Sequence, residues 1–176
     1  MGYLLQMKAK ERKFTVVPCE SIDVYDDIQS CVGGWQGLFG TLPLPGGSIE
    51  LSMYCNEEGS LVPDRQVNAA CLHFYQGPLY GDICFTVCGR EGEPRAIVNQ
   101  ETAEALAMFF NSMIAEMPKK VYDAWEERWK NRPANEAGSK FVRFSSLEEM
   151  QAYMQESQKK AEAEDKAFFE QFGIER

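Results

Sequence analysis

The residues of this sequence best suited to chemistry are a single histidine and a nearby cysteine. Cys71 and His73 lie two positions apart in the segment CLHFY. On a strand this spacing places both side chains on one face, where an imidazole could activate a thiolate. The neighbouring residues are apolar, which is typical of core packing, and no glycine-flanked nucleophile motif surrounds the pair. We therefore expect no complete catalytic site; the alternative is an enzyme that uses His73 with Cys71, Asp82 or a tyrosine.

Metal and cofactor chemistry finds little support in the sequence. The closest cysteines, Cys84 and Cys88, are separated by three residues, whereas zinc sites use Cys-x-x-Cys pairs or several histidines. Adjacent carboxylates such as Asp26 and Asp27 diverge on an exposed element. The glycines of residues 33–47 are not followed by the Lys-Ser or Lys-Thr of a phosphate-binding loop. We expect no metal, no cofactor and six reduced thiols: Cys19, Cys31, Cys55, Cys71, Cys84 and Cys88.

Charge distribution separates one long region from the rest of the chain. The net charge is −9, and the only cations in residues 14–117 are Arg65, Arg90 and Arg95. A surface of this kind repels nucleic acid and anionic membranes, so we expect neither direct duplex DNA binding nor membrane association. It could instead imitate phosphate spacing and fill the basic groove of a partner, or serve solubility alone. The candidate partner-binding residues, all predicted on loops at strand ends, are Glu57, Glu58, Asp64, Asp82, Glu91 and Glu93.

The strands and helices that position these residues begin in the N-terminal half of the chain. The β-branched segment KFTVVP, residues 13–18, predicts a strand, and a helix capped by Ser21 or Asp23 follows it and ends at Gly33-Gly34. Residues 35–47 predict a packed loop or an irregular strand. Alternating apolar residues predict a half-buried strand over 48–55, followed by a turn at 56–59.

The second half is predicted to be mostly helical. Residues 61–81 are ambiguous, with a short helix near 65–72, and DICFTVC at 82–88 predicts a central strand. Helices are predicted over 99–116 and 119–130. The expected buried face of the first is Ala103, Leu106, Phe109, Phe110 and Met113, and that of the second is Val121, Tyr122, Trp125 and Trp129.

The C-terminal residues predict a separate helical extension. A linker at 132–138 precedes a short extended segment at 140–144, and Ser145-Ser146 begins a long helix that runs to about Phe172. The aromatic cluster at its end needs a partner surface, either on this chain or on another chain, and the second alternative is a homodimer through this helix; the cluster is Phe168, Phe169 and Phe172.

Together these elements predict an α+β protein. It has a small mixed or antiparallel sheet with flanking helices, and a helical C-terminal extension ending in a long helix. The predicted domains are residues 1–132 and 133–176. No secretory signal or membrane span is evident, so we expect a cytoplasmic location.

Several segments in order resemble a known family. They are KFTVVP, a helix ending at Val32-Gly33-Gly34, then SIELSMYCNEEGSLVPDRQVN and GDICFTVCG. Across residues 13–89 this order resembles a family of small proteins of unknown function encoded by phages and conjugative elements of Firmicutes. Asn56 to Leu61 is the most specific part, and Asn68 is a second marker. Residues 36–47 and everything after residue 99 depart from the family.

The resemblance implies a mobile-element setting, in which small acidic proteins often disarm host defences. It leads to the hypothesis of a non-enzymatic, anti-CRISPR-type inhibitor in the bacterial cytoplasm. Its partner would be a host defence protein or ribonucleoprotein, such as a CRISPR effector or restriction complex, bound through the acidic domain. The alternatives are a nuclease that acts on guide RNA or a nucleotide signal through His73, and an accessory module that pairs through the C-terminal helix.

Overall fold

A central antiparallel sheet organises the N-terminal part of the chain. The computed structural model describes residues 2–21, 23–44, 49–62, 64, 66–75, 77–130 and 146–175. The chain divides into two compact units, residues 1–131 and 132–176. The strands are β1 (Tyr3–Lys8), β2 (Lys13–Pro18), β3 (Gln36–Pro43), β4 (Glu50–Asn56), β5 (Ile83–Cys88) and β6 (Pro94–Arg95). The helices are α1 (Val24–Val32), α2 (Gln100–Glu116), α3 (Lys119–Lys130) and α4 (Leu147–Glu170).

The strands follow the order β2-β1-β5-β4-β3, with β6 paired to β5, and every pairing is antiparallel. The predicted α+β class is therefore confirmed, and the sheet is antiparallel throughout the described residues. The strand predicted at 82–88 is central, as expected, because β5 pairs with both β1 and β4. The two edges of the main path are β2 and β3.

One face of the sheet is covered by an aromatic cluster that holds α2 in place. The ring centroid of Phe14 on β2 lies 5.1 Å from that of Phe110 on α2 and 5.3 Å from that of Phe85 on β5. Phe74, just after a 3-10 turn at Ala69–His73, adds edge contacts to all three rings. Each fully buried side chain of this size contributes about 1.5–3 kcal/mol through the area it removes from water.

The opposite face carries α1 and a more polar set of side chains. The Asp23 side chain caps the helix by accepting a hydrogen bond from Tyr25 N, and Gly33 ends it with a φ of 70°. A left-handed residue at this position suits glycine because no Cβ is present to clash. The buried cluster beneath the helix is Leu4, Ile28, Cys31, Val32, Tyr54 and Cys84.

Two strand predictions are corrected by this architecture. No strand is predicted before Lys13, yet Tyr3–Lys8 forms β1, and Leu4, Leu5 and Met7 are fully buried. β4 is predicted to be half-buried, but all five residues of Leu51–Cys55 are buried. Both strands lie inside the sheet with elements packed on each face, so the polar and apolar alternation that marks a surface strand does not apply to them.

Helix α2 packs through a face that matches the predicted one only in part, since Ala103 and Phe110 are buried as predicted whereas Phe109 is exposed. Its buried residues are Ala103, Ala107, Phe110 and Ile114. Phe109 is 46% exposed because the neighbouring Phe110 takes the place between Phe14 and Phe85. For α3 the prediction is confirmed, with buried Val121, Tyr122, Trp125 and Trp129.

The second unit contains α4. Ser146 caps this helix by accepting a hydrogen bond from Glu149 N at 3.1 Å, which confirms the predicted start. Near its end the Phe168 ring lies 5.2 Å from that of Phe169 and 5.4 Å from that of Phe172. The predicted linker at 132–138 and the extended segment at 140–144 lie outside the described residues.

Candidate functional site

The three residues of the predicted catalytic alternative make separate contacts. Cys71 is fully buried in the 3-10 turn and its thiol donates to Gly77 O at 3.5 Å. Asp82, just before β5, accepts from Ala9 N at 2.9 Å and so fixes the loop between β1 and β2. His73 is half-buried, and the contact recorded for its side chain is with Tyr122 of α3. These two bonds, to Gly77 O and from Ala9 N, give Cys71 and Asp82 structural roles, and neither involves His73.

His73 and Tyr122 form a close polar contact between the 3-10 turn and α3. Nε2 of His73 lies 2.6 Å from the Tyr122 hydroxyl, which itself donates to Ile114 O at 2.8 Å. Because the hydroxyl proton is used in that second bond, His73 must donate from Nε2 to the tyrosine oxygen. Burial raises the pKa of Tyr122 to about 12. The tyrosine therefore stays neutral near pH 7, where it is a poor base or nucleophile.

Arg12 connects the loop between β1 and β2 to α3. It adopts the left-handed region with a φ of 48°, which side-chain-bearing residues rarely occupy. Its guanidinium bonds Glu126 at 2.7 Å and Asp123 at 2.9 Å and lies 5.4 Å from the centre of the Tyr122 ring. Burial lowers the pKa of Arg12, but these carboxylates outweigh it and leave the pKa raised. This cation is thus engaged within the fold and is not available to a partner.

Four of the predicted partner-binding residues lie at one end of the sheet, which we call the acidic corner: Glu57, Glu58, Asp64 and Asp82. β4 ends where β5 begins, since Cys55 pairs with Ile83, so the loops that follow and precede them meet. Asp64 precedes Gln66, whose carbonyl accepts from Gly81 N, and this bond brings its loop to the same end. Glu57, Glu58 and Asp64 are exposed, and no cation among the described residues forms an ion pair with any of the four.

Two asparagines hold the acidic corner in shape. Asn56 accepts from Glu58 N at 3.0 Å and donates to Gly33 O at 3.5 Å, which ties the turn to the end of α1. Asn68 is fully buried and donates to Gly81 O at 3.0 Å and to Met7 O at 3.4 Å. Asn56 and Asn68, the two markers of the family resemblance, therefore hold the neighbouring loops through side-chain to backbone hydrogen bonds and give the exposed carboxylates a defined position.

Glu91 and Glu93 lie at the opposite end of the sheet, after β5. The side chain of Glu93 accepts from its own backbone N–H, pairs with Arg95 and accepts from Glu91 N at 3.0 Å, and these bonds, in that order of effect, lower the pKa of Glu93. The same end contains a cleft of about 710 Å³, lined in part by Cys19, Asp23, Tyr25, Glu93 and Arg95. The six predicted residues thus form two separate groups, and the pair at this end is partly neutralised. The sequence offered no signal for the cleft, which residues far apart in the chain create.

The thiols are part of the fold and form no disulfide. On the α1 face, a hydrogen bond between Cys31 and Cys84 lowers the pKa of Cys31 and raises that of the buried Cys84. Burial raises the pKa of Cys19 to about 11 and that of Cys55 to about 12. Within the described residues no group of three or more His, Cys, Asp or Glu side chains is arranged to hold a metal ion. None of the helices in that part of the chain has the length and hydropathy needed to cross a bilayer.

The two edge strands differ in how their outer backbone groups are treated. Asn111 of α2 accepts from Phe14 N at 2.7 Å and donates to Phe14 O at 3.0 Å, so its amide replaces a neighbouring strand on β2. On β3 the outward N–H and C=O groups have no hydrogen-bond partner among the described residues. Nothing in the sequence around Asn111 indicates this role, because its partner Phe14 is 97 residues away. The segment 35–47, predicted as a packed loop or an irregular strand, contains β3.

Comparison with known proteins finds no family model that matches this chain, and no curated protein or solved structure that is significantly similar to it. The resemblance of residues 13–89 to a family of mobile elements stays a prediction.

Proposed function

We propose that this chain is a non-catalytic binding protein that docks its acidic corner on the basic nucleic-acid channel of a host effector nuclease. In the setting that the resemblance implies, it acts as an anti-CRISPR-type, anti-defence inhibitor. The observation that carries the proposal is the convergence of Glu57, Glu58, Asp64 and Asp82 at one end of the sheet, where no cation among the described residues forms an ion pair with them. Their rigid placement by Asn56 and Asn68 reduces the entropy lost on binding.

Nearby cations restrict the direction from which a partner approaches. Lys8, Lys10 and Lys13 lie on the hairpin of β1 and β2, at the same end of the sheet but on the other side of β5. A basic channel is attracted to the β4 side and repelled from this hairpin, so the two charges orient the protein in the groove. Electrostatic attraction of this kind accelerates association, and the affinity falls as salt screens the charges.

The test is capture of a CRISPR effector with its guide RNA from cells that produce both, using the full chain as bait. The expected result is co-purification with intact RNA that declines between low and high salt. The double variant Glu57→Lys with Glu58→Lys should weaken capture by at least tenfold. The matched control is Glu20→Lys with Glu101→Lys, which changes the net charge equally at two exposed positions near Tyr3, at the opposite end of the sheet. Equal loss in both variants, or no capture by the unmodified chain, would contradict the proposal.

The second candidate is a nuclease centred on His73, and the observation in its favour is the 2.6 Å contact with Tyr122. A histidine that donates to a neutral tyrosine could act as a general acid towards a bound phosphodiester. His73→Ala and Tyr122→Phe separate the two candidates. Shortened guide RNA that becomes intact with both variants would support the nuclease. RNA that stays intact with the unmodified chain would remove it.

Pairing through α4 is a third candidate, supported by exposed apolar side chains near its start. Leu147 is 64% exposed and Met154 is 60% exposed. Light scattering on the full chain tests it: a dimer that becomes monomeric in Leu147→Glu with Met154→Glu would support pairing. A monomer at all concentrations would exclude it.

A further inference from the structure

The outer edge of β3 is an unfinished sheet edge beside the acidic corner. Alternation along an antiparallel strand directs every second residue's N–H and C=O towards each neighbour. Trp35 O accepts from Glu57 N and Leu44 N donates to Ile49 O, so these two residues face β4. The direction alternates along the strand from Trp35 and from Leu44, with a bulge between Leu38 and Gly40. The residues whose N–H and C=O both point away from β4 are therefore Gln36, Leu38 and Thr41.

The devices that usually block such an edge are largely missing from β3. Exposed edges are commonly protected by charged side chains, prolines, bulges or a covering element. β3 has the bulge and Pro43 at its end, but QGLFGTLP contains no charged residue. The bulge divides the edge and leaves Gln36–Leu38 as the segment next to the acidic corner. The opposite edge is closed at Phe14 by Asn111.

Side chains around Gln36–Leu38 specify what fits there. Glu57 lies over Gly37, with its Oε2 only 3.3 Å from where a Cβ on that glycine would be. Leu38 is 55% exposed, and Trp35 next to the strand is 63% exposed. A strand laid along this edge would therefore meet a carboxylate near Gly37 and apolar side chains at Trp35 and Leu38.

We propose that the edge segment Gln36–Leu38 accepts an extended, cationic segment of the partner as an additional strand. The segment carries an arginine or lysine opposite Glu57 and an apolar residue opposite Leu38, with main-chain hydrogen bonds supplying affinity and these side chains supplying specificity. This inference deepens the proposed function and depends on it for the basic character of the partner. A second copy of the chain fits less well, because β3 has no cation to offer Glu57 and each copy has a net charge of −9.

The probe for this site is an acetylated, amidated hexapeptide of alternating arginine and valine, at millimolar concentration. The control peptide has the same sequence with N-methylated backbone amides, which keeps the charges but removes the strand-forming donors. Amide NMR of the full chain measures both. The expected result is binding of the first peptide, slowed hydrogen exchange at Gln36 and Leu38, and at least tenfold weaker binding of the control. Equal binding of both peptides, binding of neither, or shifts elsewhere on the protein would overturn the proposal.

Variants of the protein test the same edge from the other side. Leu38→Pro removes an outward N–H that makes no hydrogen bond within the described part of the chain, and Leu38→Lys adds a repelling charge at an exposed position. The second variant keeps the test valid if proline perturbs the strand. We expect each to weaken peptide binding about tenfold, whereas Met108→Lys, at a 71% exposed position on α2, leaves it unchanged. Unchanged binding in a folded Leu38→Lys protein would contradict the proposal, as would a dimer that the peptide cannot compete.

Failure of this inference and failure of the proposed function give different results. If capture of the effector is lost in the Glu57 and Glu58 variant but persists in Leu38→Lys, the acidic docking stands and the strand addition is wrong. If the peptide binds as described and no effector is captured, the edge site stands and the proposed partner is wrong.

Discussion

The two edge strands of the sheet, β2 and β3, begin from similar sequences and end in different environments. Apart from Lys13 in β2, neither strand contains a charged residue, and both contain large apolar residues. β2 is packed under α2 through Phe14 and Phe110, and Asn111 takes up the outward N–H and C=O of Phe14. No residue of β3 is buried, and its outer N–H and C=O groups have no hydrogen-bond partner among the described residues. Asn111 of α2 therefore caps one edge at Phe14, whereas the edge of β3 has no such hydrogen-bond partner among the described residues.

The largest expected effect comes from removing the packing that closes the β2 edge. Phe110→Ala leaves a cavity between Phe14 and Phe85 and should lower the free energy of unfolding by about 3–5 kcal/mol. Urea denaturation followed by tryptophan fluorescence measures it. The adjacent Phe109→Ala, at a side chain 46% exposed, is the control and should cost far less. Similar losses in both variants would show that α2 does not pack as described.

The next effect tests the hydrogen bonds that cap β2. Asn111→Ala leaves the N–H and C=O of Phe14 without their partner and should destabilise the protein by about 1–3 kcal/mol. Hydrogen exchange provides a direct comparison of the edges: the Phe14 amide should exchange slowly and the Leu38 amide quickly. In Asn111→Ala the Phe14 amide should approach the rate of Leu38. If the two amides exchange alike in the unmodified protein, the contrast between the edges is wrong.

Alkaline pH sharpens the comparison through one thiol near each edge. Cys19 follows β2 and has a pKa raised to about 11, whereas Cys55 pairs with Gly37 of β3 and has a pKa raised to about 12. An unfolded thiol ionises near its ordinary value of 9.0, so the stability from neutral thiols is complete below that pH and is lost as pH rises towards the folded values. Denaturation midpoints should therefore fall between pH 9 and pH 11, with a smaller fall in Cys55→Ala. A midpoint independent of pH over this range would contradict burial of these thiols.

The smallest effects on stability are expected at the open edge. Trp35→Ala and Leu38→Lys alter side chains that are 63% and 55% exposed, and each should change the free energy of unfolding by no more than about 0.5 kcal/mol. Chemical denaturation measures this, with Asn111→Ala as the contrasting edge variant. A loss of several kcal/mol at Leu38 would mean that β3 is covered and is not an edge available to a partner.

Much of the secondary structure could be predicted because local signals determine it. The strand at 13–18 agrees with β2, and the predicted caps at Asp23 and Ser146 lie where a short polar side chain can bond a free N–H at a helix start. The central position of β5 was also predicted, since a continuous apolar strand needs cover on both faces. β1 was missed because a strand buried on both sides lacks alternation, and its basic continuation resembles a tail.

The candidate site was predictable only in part. Glu57, Glu58, Asp64 and Asp82 were chosen as loop carboxylates, but their common location follows from the antiparallel pairing of β4 with β5. Glu91 and Glu93 carried the same sequence signal and lie at the other end, where Arg95 pairs with Glu93. His73 was recognised as the sole histidine, but nothing near it in sequence indicated Tyr122, 49 residues further along.

By itself the sequence determined the composition of the surface and the type of most elements, since charge, capping residues and hydrophobic periodicity act over a few residues. The tertiary structure alone decided which carboxylates share a corner, which face of α2 is buried, and which sheet edge is closed. Those outcomes depend on strand order and on contacts such as Asn111 with Phe14 across 97 positions. Such contacts leave no periodic signal because a single side chain at the correct distance is sufficient to make them.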